Sequence, residues 1–195
     1  MEHDRWSRWK VESGENLKTM KHPYLLIITG HSCSGKSTLI KELQKNLTGS
    51  YHIGYDKIKW WIAGYDRDRD VELVKNLLRG FLWVILEARI CCITDAYLKT
   101  EEEYCSLSNH AKTHGYRVLT VKLNCPEDVR LERFRERVTR SKTENISISL
   151  TDESIFLENM KKPFYFPEDA TVFDTSKTCS VEIAEMIIHS LEENL

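Results

Sequence analysis

Apolar runs alternate with amphipathic stretches along the chain, and this alternation predicts five strands separated by helices. Apolar runs of strand length predict strands at 24–29, 51–56, 90–95, 117–124 and 170–175. Helical spacing and helix-start residues predict helices at 39–47, 70–89, 101–114, from 126, from 151 and at 181–191. Thr151 is the predicted N-cap of the helix from 151, with Leu150 and Ile155 as its hydrophobic staple.

The order of these elements indicates an α/β fold with about five parallel strands. Right-handed crossovers between parallel strands place helices on both faces of such a sheet, which gives three layers. Residues 23–195 form one predicted domain, and the mostly polar residues 1–22 form a predicted N-terminal extension of unknown role. A mobile helical lid is predicted at about 130–163, where a long charged helix leads into a polar stretch.

Composition places the chain among globular proteins. Hydrophobic residues make up 41% and charged residues 30% of its 195 residues, and the formal net charge is -2. That charge does not favour nucleic acid as a partner, because phosphate backbones are met with basic surface. The six cysteines include no C-x-x-C pair, and no signal peptide or membrane span is recognisable. These features predict a cytoplasmic protein with no membrane partner.

A glycine-rich motif after the first predicted strand carries the strongest chemical signal. Residues 30–37 match G-x-x-x-x-G-K-[ST] and directly precede a predicted helix. In this motif backbone N–H groups and the helix N-terminus surround phosphate oxygens, Lys36 reaches the β and γ phosphates, and the Ser37 hydroxyl binds Mg²⁺. ATP held with Mg²⁺ is therefore the expected ligand. The predicted nucleotide-binding residues are Gly30, His31, Ser32, Cys33, Ser34, Gly35, Lys36, Ser37 and Thr38.

Two classes of nucleotide-binding protein are disfavoured by residues that are missing. ATPase motors place Glu directly after the acid that ends an apolar strand, whereas Asp95 is followed by Ala96 and Tyr97. GTPases recognise guanine with N-K-x-D, and the chain contains no such tetrapeptide. Small phosphotransferases remain.

Over residues 24–190 the chain resembles the small P-loop kinases, a family that includes phage polynucleotide kinase, chloramphenicol phosphotransferase, gluconate kinase and the zeta toxins. The resemblance implies that Asp56, at the end of the second strand, is the general base for the acceptor hydroxyl. It also implies a role for Asp95 toward acceptor or metal, and for Arg133 and Arg137 within RLERFRER toward the nucleotide and the transferred phosphoryl group. Asn or Thr commonly follows the acid at the position of Asp95, and this chain departs from that pattern.

Structural alternatives exist for each of these residues. Asp56 could cap a helix that begins at Lys57, since Asp is a preferred N-cap. The arginines from 130 to 140 could form a solvated face paired with neighbouring glutamates. Lys59, one helical turn after Asp56, could hold an anionic group of the acceptor or be an ordinary surface lysine.

The sequence therefore predicts an ATP-dependent phosphotransferase that moves the γ-phosphoryl group to a hydroxyl. It does not choose among small molecules, sugar nucleotides and nucleic-acid 5′ ends as acceptors. The alternative is a non-catalytic or regulatory ATP-binding protein. Lys36, Asp56 and Arg137 are the predicted catalytic residues, Arg133 joins the nucleotide-binding set, and Lys59 and Asp95 are predicted to contact the acceptor.

Overall fold

The structure, a computed structural model, describes residues 22–96, 98–146, 148 and 150–193. The predicted N-terminal extension, apart from His22, lies outside the described residues, as does Tyr97.

Five parallel strands form one sheet in the order β2-β3-β1-β4-β5. Their bounds are β1 (Tyr24–Thr29), β2 (Tyr51–Ile53), β3 (Cys92–Thr94), β4 (Arg117–Asn124) and β5 (Thr171–Asp174). The central strand β1 pairs with β3 on one side and β4 on the other, so that Leu26 lies between Ile93 and Leu119. The predicted three-layer fold with about five parallel strands is confirmed. Three strands are shorter than predicted, since β2 ends before Gly54, β3 ends before Asp95 and β5 ends before Thr175.

Helices cover both faces of the sheet. They are α1 (Lys36–Asn46), α2 (Tyr55–Lys59), α3 (Arg67–Glu87), α4 (Glu101–Thr113), α5 (Glu127–Thr143), α6 (Glu153–Met160) and α7 (Ser180–Glu193). Leu26 and Ile28 pack in one apolar core with residues of α1 and α7, whereas Leu25 and Ile27 pack in another with residues of α3 and α4. Because successive side chains of a strand point to opposite faces, a strand buried on both sides has the continuous apolar sequence seen in β1. None of the helices in the described ranges is long and apolar enough to cross a bilayer.

Helices α5 and α6 share a third, smaller core. The rings of Phe134 and Phe156 stack with centroids 4.2 Å apart, and Met160 completes the cluster. Arg135 donates to both carboxylate oxygens of Glu153 across the same pair of helices. The predicted lid segment therefore has packing of its own.

Two predicted helix starts are wrong. Helix α3 begins at Arg67 rather than Asp70, because the Asp66 carboxylate accepts hydrogen bonds from the backbone N–H groups of residues 68 and 69. Helix α6 is capped by Asp152 rather than Thr151, and its carboxylate accepts from the N–H of Ile155. Ile155 is 39% exposed, so it does not form the predicted staple, and the next residue, Phe156, enters the core instead.

Candidate functional site

The predicted site residues Lys36, Asp56 and Asp95 follow β1, β2 and β3, whose carboxyl ends lie at one edge of the sheet. Ligands of parallel α/β sheets bind at this edge. The glycine-rich loop connects β1 to α1, and Gly35 is the N-cap of α1 with φ 94°, a left-handed conformation that favours glycine. Cys33 adopts a positive φ of 61°, which is uncommon for a residue with a side chain. Both positive φ values thus fall where the loop turns from β1 into α1.

Lys36 is the first residue of α1, and its side chain folds back over the loop. Its Nζ donates hydrogen bonds to the carbonyl oxygens of Gly30, at 2.7 Å, and His31, at 2.9 Å. Burial lowers the pKa of Lys36, and the negative charges of Asp95 and Asp56 act against that shift. Both predicted carboxylates therefore lie close enough to Lys36 to affect its pKa, and the three residues form one electrostatic cluster.

Asp56 lies in the first turn of α2, which begins at Tyr55 and has Gly54 as its N-cap. The alternative in which Asp56 caps a helix beginning at Lys57 is therefore wrong. An acidic residue in a first turn is favoured by the helix dipole, so its position is compatible with both structural and chemical use.

His52 makes a contact with Asp95 that sequence reasoning missed. Nε2 of His52 lies 2.9 Å from Oδ1 of Asp95, and the two side chains are only 10% and 15% exposed. A Cβ on Gly54 would collide with Oδ1 of Asp95 and would lie 2.9 Å from Nε2 of His52, so the absence of a side chain at Gly54 makes room for the pair. The one sequence signal for this contact was the spacing of His52 and Gly54, because residues two apart along an extended chain face the same side.

Arg133 ties three segments together beside the loop. It donates to the carbonyl oxygen of Thr175 at 2.7 Å, to its hydroxyl at 3.1 Å, and to the carbonyl oxygen of Cys33 at 3.4 Å. The Thr175 hydroxyl in turn donates to the carbonyl oxygen of Ser34 at 3.0 Å. Arg133 thus belongs to the walls of the nucleotide loop and not to a solvated face.

Of the other arginines of α5, Arg130 is buried, whereas Arg137 is exposed and lies near the loop. Burial raises the pKa of the Cys33 thiol, and the charge and hydrogen bond of Arg137 act against that shift, which places Arg137 at the loop. Arg130 is only 4% exposed, and its Nε donates to the carbonyl oxygen of Cys125 at 3.1 Å.

Lys59 lies on the outer side of this edge. Its Nζ is 5.2 Å from the ring centroid of Trp60 and 5.0 Å from that of Tyr65, both within cation–π range. Trp60 is 54% exposed, so this group of side chains borders solvent. The arrangement leaves the surface-lysine alternative open.

The residues near Lys36 fit a magnesium–nucleotide complex. Mg²⁺ is usually held by one or two carboxylates, a hydroxyl and the substrate phosphates rather than by a complete protein cage. Ser37, next to Lys36 on α1, and the carboxylates of Asp56 and Asp95 offer such donors. The described residues contain no cluster of three or more His, Cys, Asp or Glu side chains suited to a metal ion.

Comparison with known proteins agrees with this fold. The family model of an AAA domain matches residues 25–154, which span β1 to the start of α6. No curated protein matches the chain by sequence.

Several solved structures share the fold. One is a protein of Chloroflexus aurantiacus j-10-fl provisionally assigned as a kinase, with 17% identity, a TM-score of 0.67 and coverage of 87% of this chain and 98% of that one. The APS kinase CysC of Mycobacterium tuberculosis, solved with AMPPNP and APS, has 15% identity, a TM-score of 0.62 and coverage of 88% and 99%. A gluconokinase of Sinorhizobium meliloti 1021 has 17% identity, a TM-score of 0.58 and coverage of 88% and 95%. The resemblance to small P-loop kinases is thereby confirmed in the fold, and the chain belongs to the AAA domain family that the sequence model describes.

Proposed function

We propose that the protein is an ATP-dependent phosphotransferase that transfers the γ-phosphoryl group to a hydroxyl of a small-molecule or nucleotide-like acceptor. The observation that carries the proposal is that the charges of Asp95 and Asp56 both act on the partly buried ammonium of Lys36, which folds back over the glycine-rich loop. Phosphoryl transfer depends mainly on positioning and charge stabilisation, and this cluster supplies a cation for the phosphates with carboxylates facing it.

In this proposal the glycine-rich loop and Lys36 bind the triphosphate, and Ser37 with a carboxylate holds Mg²⁺. The metal, when bound, offsets the charge of the phosphate oxygens. Lys36 already donates to two carbonyl oxygens of the loop, Gly30 and His31, and its ammonium can exchange them for phosphate oxygens without leaving the site.

Asp56 orients the acceptor hydroxyl and accepts its proton. The hydroxyl oxygen then forms a bond to the γ-phosphorus while the bond to the bridging oxygen of ADP breaks, and ADP leaves. A carboxylate in the first turn of α2, beside Lys36, lies on the acceptor side of the loop. Asp95, held by His52, acts on the metal or the acceptor from the neighbouring strand.

Arg133 and Arg137 stabilise the nucleotide side of the reaction. Arg133 bridges the loop at Cys33 to Thr175 after β5, so it fixes the wall along which the nucleoside lies. Arg137 reaches the same loop residue from one turn further along α5 and supplies a cation near the moving phosphoryl group.

A small acceptor in a reducing compartment fits the rest of the molecule. The net charge of -2 gives little general attraction for a polynucleotide. All six cysteines lie within the described ranges and are free thiols, which supports a cytoplasmic location.

The experiment is a transfer assay with ATP labelled in the γ position over a panel of hydroxyl acceptors, with Lys36→Ala as the control variant. Label that moves to one acceptor class and depends on Lys36 supports the proposal. ATP that binds to the wild type without transfer to any acceptor would overturn it in favour of a regulatory ATP-binding protein.

A further inference from the structure

A second cleft opens on the other flank of the glycine-rich loop, over the end of β4. It has a volume of about 490 Å³, within the usual size range of small-molecule sites. Its walls come from the loop, the end of β4, the start of α5 and the segment 163–166 that precedes β5. Lys36, Asp56 and Asp95 do not line it. The cleft is therefore separate from the carboxylate cluster assigned above to phosphoryl transfer.

Two buried polar side chains in this cleft lack partners. Arg130 is 4% exposed, its Nε is bonded to Cys125, and its Nη2 lies 3.7 Å from Glu127, but its Nη1 has no hydrogen-bond partner among the described residues. Ser34 is 1% exposed, and its hydroxyl likewise finds no partner within the described ranges. Buried donors without partners are costly, and both line the same space.

The cleft carries a surplus of positive charge. Lys122 lines it with Nζ only 3.4 Å from the ring centroid of Phe166, and burial lowers the pKa of this lysine. Of the two nearby carboxylates, Glu127 is directed to solvent with 76% side-chain exposure, and Asp174 accepts hydrogen bonds from Ser176. Asp174 also has Lys177 as an ion-pair partner, at 3.5 Å. Glu127, paired with Arg130, and Asp174, which also lines the cleft, thus offset only part of the positive charge of Arg130, Lys122 and Lys177.

Aromatic rings form its remaining walls. Phe164 meets His31 of the loop edge to face with centroids 4.6 Å apart, and Phe166 lies beside it. Burial, together with the charges of Arg130 and Lys36, lowers the pKa of His31 and so disfavours the charged form of this imidazole. The walls therefore suit a flat apolar body with an anionic end.

We propose that this cleft binds a small aromatic carboxylate. The carboxylate accepts hydrogen bonds from Nη1 of Arg130 and from the Ser34 hydroxyl, and the ring packs against the wall that Phe164 and Phe166 form. A single open guanidinium nitrogen and one hydroxyl match a monoanion, whereas a phosphate dianion calls for more donors. Because Ser34 and His31 belong to the nucleotide loop, the occupant rests directly on the element that holds ATP.

The test is isothermal titration calorimetry on the full chain without nucleotide, with 1-naphthoate as the probe and the neutral 1-naphthalenemethanol and acetate as comparators. We expect 1-naphthoate to bind and both comparators to bind at least about tenfold more weakly. The alcohol lacks the carboxylate, and acetate lacks the aromatic ring. Excess inorganic phosphate is not expected to displace the naphthoate. Displacement by phosphate, or equal binding of the neutral alcohol, would overturn the proposal.

Variants locate the probe. Arg130→Met and Lys122→Met should each weaken 1-naphthoate binding by about tenfold or more, because both remove a cation of the cleft. Arg135→Met is the matched control, since Arg135 lies on the same helix but pairs with Glu153 outside the cleft. If Arg130→Met does not fold, Lys122→Met and Phe166→Ala decide the question. Wild-type affinity in those two variants, or no binding of naphthoate to the wild type, would show a cleft filled by water only.

Discussion

Nε2 of His52 and Oδ1 of Asp95 lie 2.9 Å apart across the ends of two neighbouring parallel strands. The contact fixes one carboxylate oxygen of Asp95, and the charge of this carboxylate also raises the pKa of Lys36. Gly54 leaves the space in which the pair meets. We therefore infer that His52 is a positioning residue, which touches Asp95 and would act on the proposed phosphoryl transfer through that carboxylate.

Replacing His52 tests this role. His52→Leu should lower kcat by about tenfold to a hundredfold with little change in KM for ATP, because loss of a hydrogen bond to a charged group is worth about 1.5–3 kcal/mol. His52→Gln places an amide donor near the position of Nε2 and should restore most of the activity. Steady-state kinetics of the two variants provide the measurement. Equal loss in both variants would point to general disruption of β2 instead.

The titration of Lys36 should limit nucleotide binding at high pH. Burial lowers the pKa of Lys36 below its ordinary value of 10.5, so the ammonium loses its charge at a lower pH than a free lysine does. ATP affinity should fall over that same interval. Asp95→Asn removes the influence that most raises this pKa, and the fall should then begin at lower pH.

Calorimetric titration with ATP, carried from neutral pH into the usual lysine range, provides the measurement. Asp169→Asn is the control, since Asp169 lies in the exposed loop before β5 and is not among the charges that act on Lys36. Folding stability should change with pH in the direction opposite to ATP affinity. The buried ammonium opposes folding below its folded pKa, and this penalty disappears as pH rises toward the unfolded value. If ATP affinity changes with pH in the same way in the wild type and in Asp95→Asn, Asp95 does not influence the titration of Lys36.

Arg133 should not tolerate lysine. Its guanidinium donates to groups in the loop and after β5 at once, and a lysine ammonium cannot reproduce that fork. We expect Arg133→Lys to lower the free energy of unfolding by about 1–3 kcal/mol and to weaken ATP binding. Arg135→Lys, at an exposed ion pair with Glu153, should leave both quantities within experimental error. Urea titrations measure the free energy of unfolding and calorimetry measures ATP binding in the two variants. Equal values in both variants would contradict a role of Arg133 in shaping the nucleotide site.

The segment from about 130 to 163 should close over bound nucleotide. Helices α5 and α6 are joined by the stacked rings of Phe134 and Phe156, so they can move together, and Arg133 and Arg137 connect them to the loop at Cys33. Lids of this kind exclude water from the reacting groups. Hydrogen exchange in this segment should slow on addition of ATP with Mg²⁺. Exchange that is unchanged across the whole segment would contradict a lid.

The features that the sequence predicted are those that depend on neighbouring residues. The apolar run of β1 and the motif that ends at Ser37 each occupy a few consecutive positions, so pattern alone locates them. The pair of His52 and Asp95 spans 43 residues and depends on how β2 and β3 align in the sheet. The sequence pattern of Arg130 is likewise typical of a surface residue, but the fold buries it beside the end of β4.

The errors at helix starts have a similar cause. Thr151 and Asp152 are both good caps, and local preference does not choose between them. The choice follows from Phe156, which must face Phe134 in the core that α5 and α6 share. At α2 the close approach of Asp95 requires glycine at position 54, and the helix begins there, which leaves Asp56 inside the first turn.

Asp56→Asn is the decisive variant for the chemistry of the proposed reaction. Asparagine keeps the size and much of the hydrogen bonding of aspartate but cannot accept a proton at neutral pH. If Asp56 takes the proton of the acceptor hydroxyl, kcat should fall by about 10² to 10⁴, the usual range for general acid–base catalysis. ATP affinity at neutral pH and thermal stability should stay close to those of the wild type, because Asp56 does not cap α2.

Asp66→Asn is the matched control for this variant. Asp66 is a true N-cap, with its carboxylate bonded to two backbone N–H groups of α3, and asparagine is an equally good cap. Asp66→Asn should therefore retain both stability and turnover, which separates the loss of a base from the loss of a carboxylate near a helix start. Both variants are measured on the acceptor that the labelled-ATP panel identifies. Wild-type turnover in Asp56→Asn would exclude Asp56 as the base and assign the proton to Asp95, whose contact with His52 would then offer it an onward path.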